Sequence, residues 1–262
     1  MQSAAEEANA LHSDQSGCCK RRTPKHNLFL NRLSRDLIHQ LRMNGAFLDN
    51  DAIGCFDRIL VSMGMIACRR LGMPRSAIRS QAATLQHMRY VVKTVHGVSK
   101  DNYHGTLFAP LFGTGQGSGS SPAIWTAVSV ILLNAFDQLV KEGFSFQDPW
   151  NQVSVHHKGQ AFVDDTWRGL TVAPTTSYDD LVVKLETIAQ TWERLLNISG
   201  GALNMSKCWW SIQFWEWDSR GRPFLRPHTT HDPDLVLTTS ETGHQTTIRH
   251  SPNSEANRTL GV

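Results

Sequence analysis

Residues 123–136, Ala-Ile-Trp-Thr-Ala-Val-Ser-Val-Ile-Leu-Leu-Asn-Ala-Phe, are the longest apolar stretch of the chain and carry no charge. Fourteen residues fall short of the ~20 that a membrane-spanning helix needs, so the stretch is expected to be a helix buried inside a folded domain. Ser121 and Pro122 supply its start signal, a small hydroxyl residue followed by a proline whose φ is already helical. A helix apolar on most sides has to be covered by other layers. The remaining chain can supply them: 262 residues at 40% hydrophobic and 19% charged bury enough apolar surface to fold.

The flanking patterns alternate between helix and strand. Leu30, Leu33, Leu37, Ile38 and Leu41 recur at helical spacing and predict a helix ending before Asn44-Gly45. A short strand, Ala46-Phe47-Leu48, follows. Ile59, Leu60, Met63 and Ile66 predict a helix over 58–71 that stops at Gly72 and Pro74, and Ile78, Ala82, Leu85, Met88 and Val92 predict a second. Val153–Val155 and Gln160–Val163 read as strands, the second broken by Asp164-Asp165 at a hairpin turn. Ser177, with Asp180 three residues on, starts a helix carrying Leu181, Leu185, Ile188, Trp192 and Leu195 and ended by Gly200-Gly201. Beyond Trp210 the sequence is β-rich.

Residues 1–26 are polar and lack an apolar period, which predicts a disordered basic arm; residues 20–42 hold seven Lys/Arg against one acid. Five cysteines without Cys-x-x-Cys spacing, and no apolar leader at the start, predict an intracellular protein of the cytoplasm or nucleus rather than a secreted one, with no membrane partner.

Chemistry concentrates where two strands end in carboxylates: Asp51, with Asp49 and Asp57 close by, and the pair Asp164-Asp165 far downstream. Adjacent aspartates in a turn repel one another, so the pair predicts a divalent cation nearby. Mg²⁺ takes hard oxygen ligands and is usually held by one or two carboxylates plus substrate phosphates. Asp179-Asp180 is a contrasting pair, placed in the first turn of a helix where the dipole accounts for it. Asp49-x-Asp51 also fits a sugar-nucleotide Asp-x-Asp motif, the basis of a minor, glycosyltransferase-like reading.

Four segments in order then resemble the palm motifs of reverse transcriptases, in particular those of non-long-terminal-repeat retrotransposons. They are Asp51-Ala-Ile-Gly-Cys-Phe56-Asp57, Gln116-Gly117-Ser-Gly-Ser-Ser121-Pro122, Phe162-Val163-Asp164-Asp165 and Leu203-Asn204-Met-Ser-Lys207. The resemblance implies an α+β polymerase palm, an antiparallel sheet with helices packed on one face, with incomplete fingers and no thumb. The implied domains are the arm (1–26), a palm with a remnant of fingers (27–210) and a β-rich extension (211–262) leading towards a thumb. Asp51, Asp164 and Asp165 would be catalytic and would hold two Mg²⁺ ions (or Mn²⁺) with the Ala52 carbonyl. Phe56, Gln116, Gly117, Ser121, Pro122 and Lys207 would bind substrate. The implied activity is RNA-directed DNA synthesis, with an RNA or DNA template, a primer and deoxynucleoside triphosphates as partners. A remnant that binds nucleic acid without turnover is the alternative.

Overall fold

The computed structural model describes residues 2–255 except 107, 116, 149 and 151. The elements run α1 (Gln2–Glu7), α2 (Pro24–Leu41), β1 (Asn44–Asn50), α3 (Cys55–Arg58), α4 (Val61–Arg70) and α5 (Arg75–His87). Four two-residue strands follow, β2 (Arg89–Tyr90), β3 (Lys93–Thr94), β4 (Gly97–Val98) and β5 (Tyr103–His104), then α6 (Ser121–Leu139). The second half holds β6 (Phe144–Gln147), β7 (Ser154–His157), β8 (Gly159–Phe162), β9 (Asp165–Val172), α7 (Tyr178–Ile198), β10 (Trp209–Gln213), β11 (Trp215–Trp217), β12 (Pro223–Leu225), β13 (Leu235–Thr238) and β14 (Gln245–His250).

A six-stranded sheet in the order β13-β14-β10-β1-β9-β8 is the frame. It is antiparallel throughout except where β14 lies parallel to β10. All seven residues of β1 are buried, as expected of a central strand covered on two sides. The period of two sends Ala46 and Leu48 into the main core with α4, α6 and α7, while Phe47 faces the other way into a second cluster of Ile38, Phe144, Phe146 and Trp167. The helices therefore cover both faces of the sheet, not one, because a strand apolar on successive positions has two faces to bury.

Three further expectations change. α6 is nineteen residues, five longer than the apolar stretch, and is long and apolar enough to cross a membrane; Trp125, Val128, Leu132, Leu133 and Phe136 are nevertheless buried in the core it shares with α4 and α7. On α2 the stripe that meets the sheet is Asn27, Asn31, Ser34 and Ile38, whereas Leu30, Leu33 and Leu41 are exposed. Polar partners cause this: the Trp167 indole N–H bonds to Asn27, and the Arg35 guanidinium reaches the Ser211 hydroxyl (2.7 Å) and Asp49. The helix expected to reach Val92 ends at His87, where Arg89 and Tyr90 pair with β5 instead.

Neither terminal segment stands apart as expected. Residues 2–7 are helical, and Asp14 to Ser16 run beside the edge strand β8: Ala161 N–H donates to Asp14 O (2.7 Å) and Ser16 N–H to Ala161 O (2.8 Å). An open sheet edge is a row of unpaired backbone groups, and this polar segment satisfies part of it. A boundary at 210/211 falls inside β10, and Leu235, Leu237 and Ile248 enter the main core, so β13 and β14 complete the sheet, while β11 and β12 pair apart from it. Thr259–Val262 lie outside the described residues.

Candidate active site

Asp51 is the first residue past β1. Its carbonyl accepts from Asn204 N–H (2.8 Å), and Ile53 N–H donates to Ala202 O (2.8 Å), so Ala52 and Leu203 form an isolated antiparallel bridge whose two bonds are made by their neighbours. The Ala52 backbone groups are thus not used by that bridge. The same contact brings in the turn after Leu203, and the Lys207 ammonium lies 3.2 Å from Asp51 Oδ2.

The other carboxylates arrive on the β8–β9 hairpin. Phe162 pairs with Asp165, which leaves Val163 and Asp164 as the two turn residues. Val163 has φ +59°, a left-handed conformation that a β-branched residue adopts only under constraint. β9 lies beside β1 with Thr166 opposite Asn50, so the turn stands next to the end of β1. There the three aspartates meet. Burial first, then the charges of Asp164 and Asp51, lift the Asp165 carboxyl to about 6, and a hydrogen bond between the Asp165 and Asp51 side chains needs that proton. Burial also raises Asp164, which is hydrogen-bonded to the Cys55 thiol at the start of α3 and feels Asp51 and Lys207. Positive charge is what this cluster lacks, and a shared proton and the Lys207 ammonium supply it.

That deficit is the test of fit for a divalent cation. Asp51 and Asp165 are hydrogen-bonded and Asp164 feels the Asp51 charge, so the neighbouring donors are hard oxygens, the ligand type Mg²⁺ takes. Among the described residues no group of three or more His, Cys, Asp or Glu side chains is arranged to hold a metal ion by itself. The donor set instead resembles the partial protein shell of an ion that takes its remaining ligands from water and substrate phosphates.

The glycine-rich loop docks on α3. Gly113 N–H donates to Ile59 O (2.8 Å) and Thr114 N–H to Phe56 O (2.6 Å). At Gly113, φ is +83° and a Cβ would stand 2.6 Å from the Asp57 backbone, so only glycine permits the approach. The Ser121 hydroxyl lies 2.8 Å from Thr114 O and 2.7 Å from Gly115 O, which ties the loop to the first turn of α6, where Pro122 sits. Phe56 is partly buried against the main core, with its backbone carbonyl holding Thr114. Gly117 is exposed with φ +87° and open space around it. Gln116 lies outside the described residues. Asp49 does not join Asp51. β1 ends at Asn50, so the alternation that would align the two stops short; Asp49 is buried against Arg35 (3.4 Å), with burial lifting its carboxyl to about 7. The Asp-x-Asp reading loses its basis.

Sequence reasoning missed three things here. Gln15 and Trp125 both bond the Val163 backbone; nothing local to either residue signals a contact so distant in sequence. A basic segment was legible: from Arg58 to Lys100 inclusive the chain has eight Lys/Arg and no acid. In space Arg69, Arg75 and Arg79 line a cavity of about 350 Å³ between α4 and α5, and Arg79 and His87 lie at an adjoining, mainly apolar one of about 690 Å³ walled by Met65, Ile78, Ala82 and Phe112. Tyr90, three residues past His87, stacks on Tyr103 at 5.0 Å between ring centres. Phe112 is followed directly by Gly113 and Thr114, so the larger cavity adjoins the loop that docks on Phe56.

No protein-family model and no curated protein matches the sequence. Among solved structures the chain is similar to telomerase from Candida albicans in complex with a TWJ fragment of telomeric RNA, with a TM-score of 0.51, 10% identity, and coverage of 94% of this chain and 36% of that chain. Apo telomerase from Candida tropicalis, truncated from its C-terminal domain, aligns with a TM-score of 0.49, 12% identity, and coverage of 94% and 43%. The chain thus spans about 36–43% of the length of these neighbours. Its likeness to telomerase is one of fold, a mixed α/β polymerase-like architecture around a mainly antiparallel sheet.

Proposed function

We propose that the chain carries out template-directed nucleotidyl transfer, as RNA-directed DNA synthesis of the non-long-terminal-repeat retrotransposon type. The convergence of Asp51, Asp164 and Asp165 carries this reading, since it sets carboxylates from a strand end and a hairpin turn side by side at a cost that a bound cation would relieve beyond what Lys207 and a shared proton do. The telomerase likeness supports it at the level of fold, because that fold is related to reverse transcriptase.

Asp51, Asp164 and Asp165 would hold Mg²⁺, with the Ala52 carbonyl as a further oxygen. Bound there, Mg²⁺ supplies Lewis acidity that makes a primer 3′-hydroxyl nucleophilic and stabilises leaving pyrophosphate. The protein's own groups do the rest. Lys207 balances the Asp51 charge and would turn to the triphosphate. Phe56 and the loop tied by Ser121 would form the floor beneath the sugar and base. The groove of Arg69, Arg75 and Arg79 would take template phosphates, with the tyrosine pair offering a stacking surface.

A primer-extension assay with an RNA template, a DNA primer, deoxynucleoside triphosphates and Mg²⁺ tests the reading. Template-dependent products are expected, and their absence under all metal conditions would refute it. The basic groove favours a second reading, nucleic-acid binding without turnover, because it does not depend on the aspartates. Changing Arg69, Arg75 and Arg79 to Gln should make the log-log salt slope of single-strand binding shallower by about 2, at roughly 0.7 per lost phosphate contact. The same change at Lys20, Arg21 and Arg22 should make it shallower by less; the reverse order would move the grip to the N-terminal segment.

A further inference from the structure

Gln15 reaches the β8–β9 turn from the far end of the sequence. Its side chain is buried and acts like a peptide group: Nε2 donates to Val163 O (3.1 Å), while Oε1 accepts from Val163 N–H (3.1 Å) and from Gly17 N–H (2.7 Å). One carboxamide therefore satisfies both backbone groups of Val163. Trp125 on α6 donates to the same carbonyl from its indole nitrogen (2.6 Å). The fit continues at Gly17, where a Cβ would stand 2.0 Å from Val163 N and 2.7 Å from its Cα. Backbone pairing around Ala161 holds Gln15 in place, so the contact belongs to the sheet edge and not to a loose tail.

The residue clamped in this way is the strained one. A β-branched residue at φ +59° persists only where its surroundings over-determine it. The backbone direction at Val163 sets where the next side chain, Asp164, points, and the turn as a whole sets the reach of Asp165 towards Asp51. Residue type matters as well. A carboxylate at position 15 would add a fourth negative charge to the cluster, and an ammonium cannot accept from Val163 N–H. A carboxamide has one donor side and one acceptor side and no charge.

We propose that Gln15 is a positioning residue that holds the Val163–Asp164 turn in its left-handed form, so that the N-terminal segment is part of the active site. The proposal rests on the reading of Asp164 and Asp165 as catalytic. Gln15→Leu removes all three bonds at similar volume. The expected result is amide exchange at Val163 at least tenfold faster by ¹⁵N NMR, with α7 amides such as Leu185 and Ile188 unchanged. In single-nucleotide addition kcat per titrated active site should fall at least tenfold while the nucleotide KM stays within threefold; counting active sites, together with the unchanged α7 amides, separates this from a general loss of folded protein. Gly17→Ala should reproduce both effects by its clash with Val163. Should Gln15→Leu lose its α7 protection, Gln15→Glu, which keeps the acceptor for Val163 N–H and Gly17 N–H and loses only the donor to Val163 O, provides the same readouts at the same position. Unchanged Val163 exchange would overturn the clamp, and faster exchange with unaltered kcat would overturn its positioning role. If the unaltered protein makes no product, the nucleotidyl-transfer reading fails, whereas the exchange measurement still decides whether Gln15 holds the turn.

Discussion

The protein carries two Asp-Asp pairs, and the fold treats them in opposite ways. Asp179 and Asp180 lie exposed in the first turn of α7, where Ser177 caps the helix: its hydroxyl accepts from Asp180 N–H (3.1 Å) and donates to the Asp180 carboxylate (2.7 Å). Free N–H groups and the helix dipole compensate the negative charge there. Asp164, in the turn after the left-handed Val163, and Asp165, the first residue of β9, are half-buried and face Asp51. No helix end offsets them. One dipeptide thus serves as local stabilisation in one place and as stored repulsion in the other. Carboxyls shifted by burial and like charge are found at functional sites.

The strongest way to break this comparison is to neutralise one member of each pair. Asp164→Asn should reduce Mg²⁺-dependent primer extension by more than the roughly 10–100-fold that loss of an outer-shell metal partner costs. Without metal it should leave the melting temperature unchanged or raise it by about 2–4 °C, since a buried charge facing Asp51 is removed. Asp180→Asn should leave extension within twofold. Equal loss of activity in the two variants would erase the distinction.

Much of this contrast could be read from residue order. The helix behind Asp179-Asp180 follows its apolar period, with Leu181, Leu185, Ile188, Trp192 and Leu195 all buried. The Asp164-Asp165 hairpin was marked by an apolar strand running into acids, and its closeness to Asp51 was an expectation from motif order that the sheet register makes geometric. What could not be read depends on contacts between segments distant in sequence. Gln15 sits in a polar stretch with no period, and its role appears only when β8 becomes an edge strand needing a partner. α2 misled for a related reason: its leucine spacing is helical, yet Trp167, Ser211 and Asp49 draw its polar stripe to the sheet through Asn27 and Arg35. Periodicity identifies an element, whereas the partners across the sheet decide which stripe is buried.

The pH dependence sharpens the comparison further. Asp165 titrates near 6 in the folded chain against about 3.9 unfolded. A carboxyl whose folded pKa is raised binds its proton more tightly when folded, so its contribution to stability is complete below about pH 4 and is lost as pH rises through about 6. For this half-buried group the loss should be about 1 kcal/mol once solvent screening is allowed for. Asp165→Asn removes the dependence. In metal-free denaturant titrations the variant should equal the parent near pH 4 and exceed it near pH 7.5. Adding Mg²⁺ at pH 7.5 should raise the midpoint of the parent only, because a ligand stabilises the state that binds it. A variant advantage independent of pH would mean that Asp165 stores no repulsion.

The smallest effects belong to the helix-capping pair, and they locate its role. Ser177→Ala removes the acceptor for Asp180 N–H and the hydroxyl that engages the Asp180 carboxylate, and an N-cap of this kind is worth about 1 kcal/mol. Asp180→Asn keeps an oxygen that accepts from Ser177 and loses only the charge at the helix terminus, about 0.3–0.5 kcal/mol at an exposed position. Melting temperature should therefore fall by about 2–4 °C in the first variant and by about 1 °C in the second. Neither change touches β8, β9 or Gln15, so Val163 amide exchange and primer extension should match the parent in both. A Ser177→Ala protein with altered Val163 exchange would couple α7 to the turn, and the two aspartate pairs would then have to be treated as parts of one site.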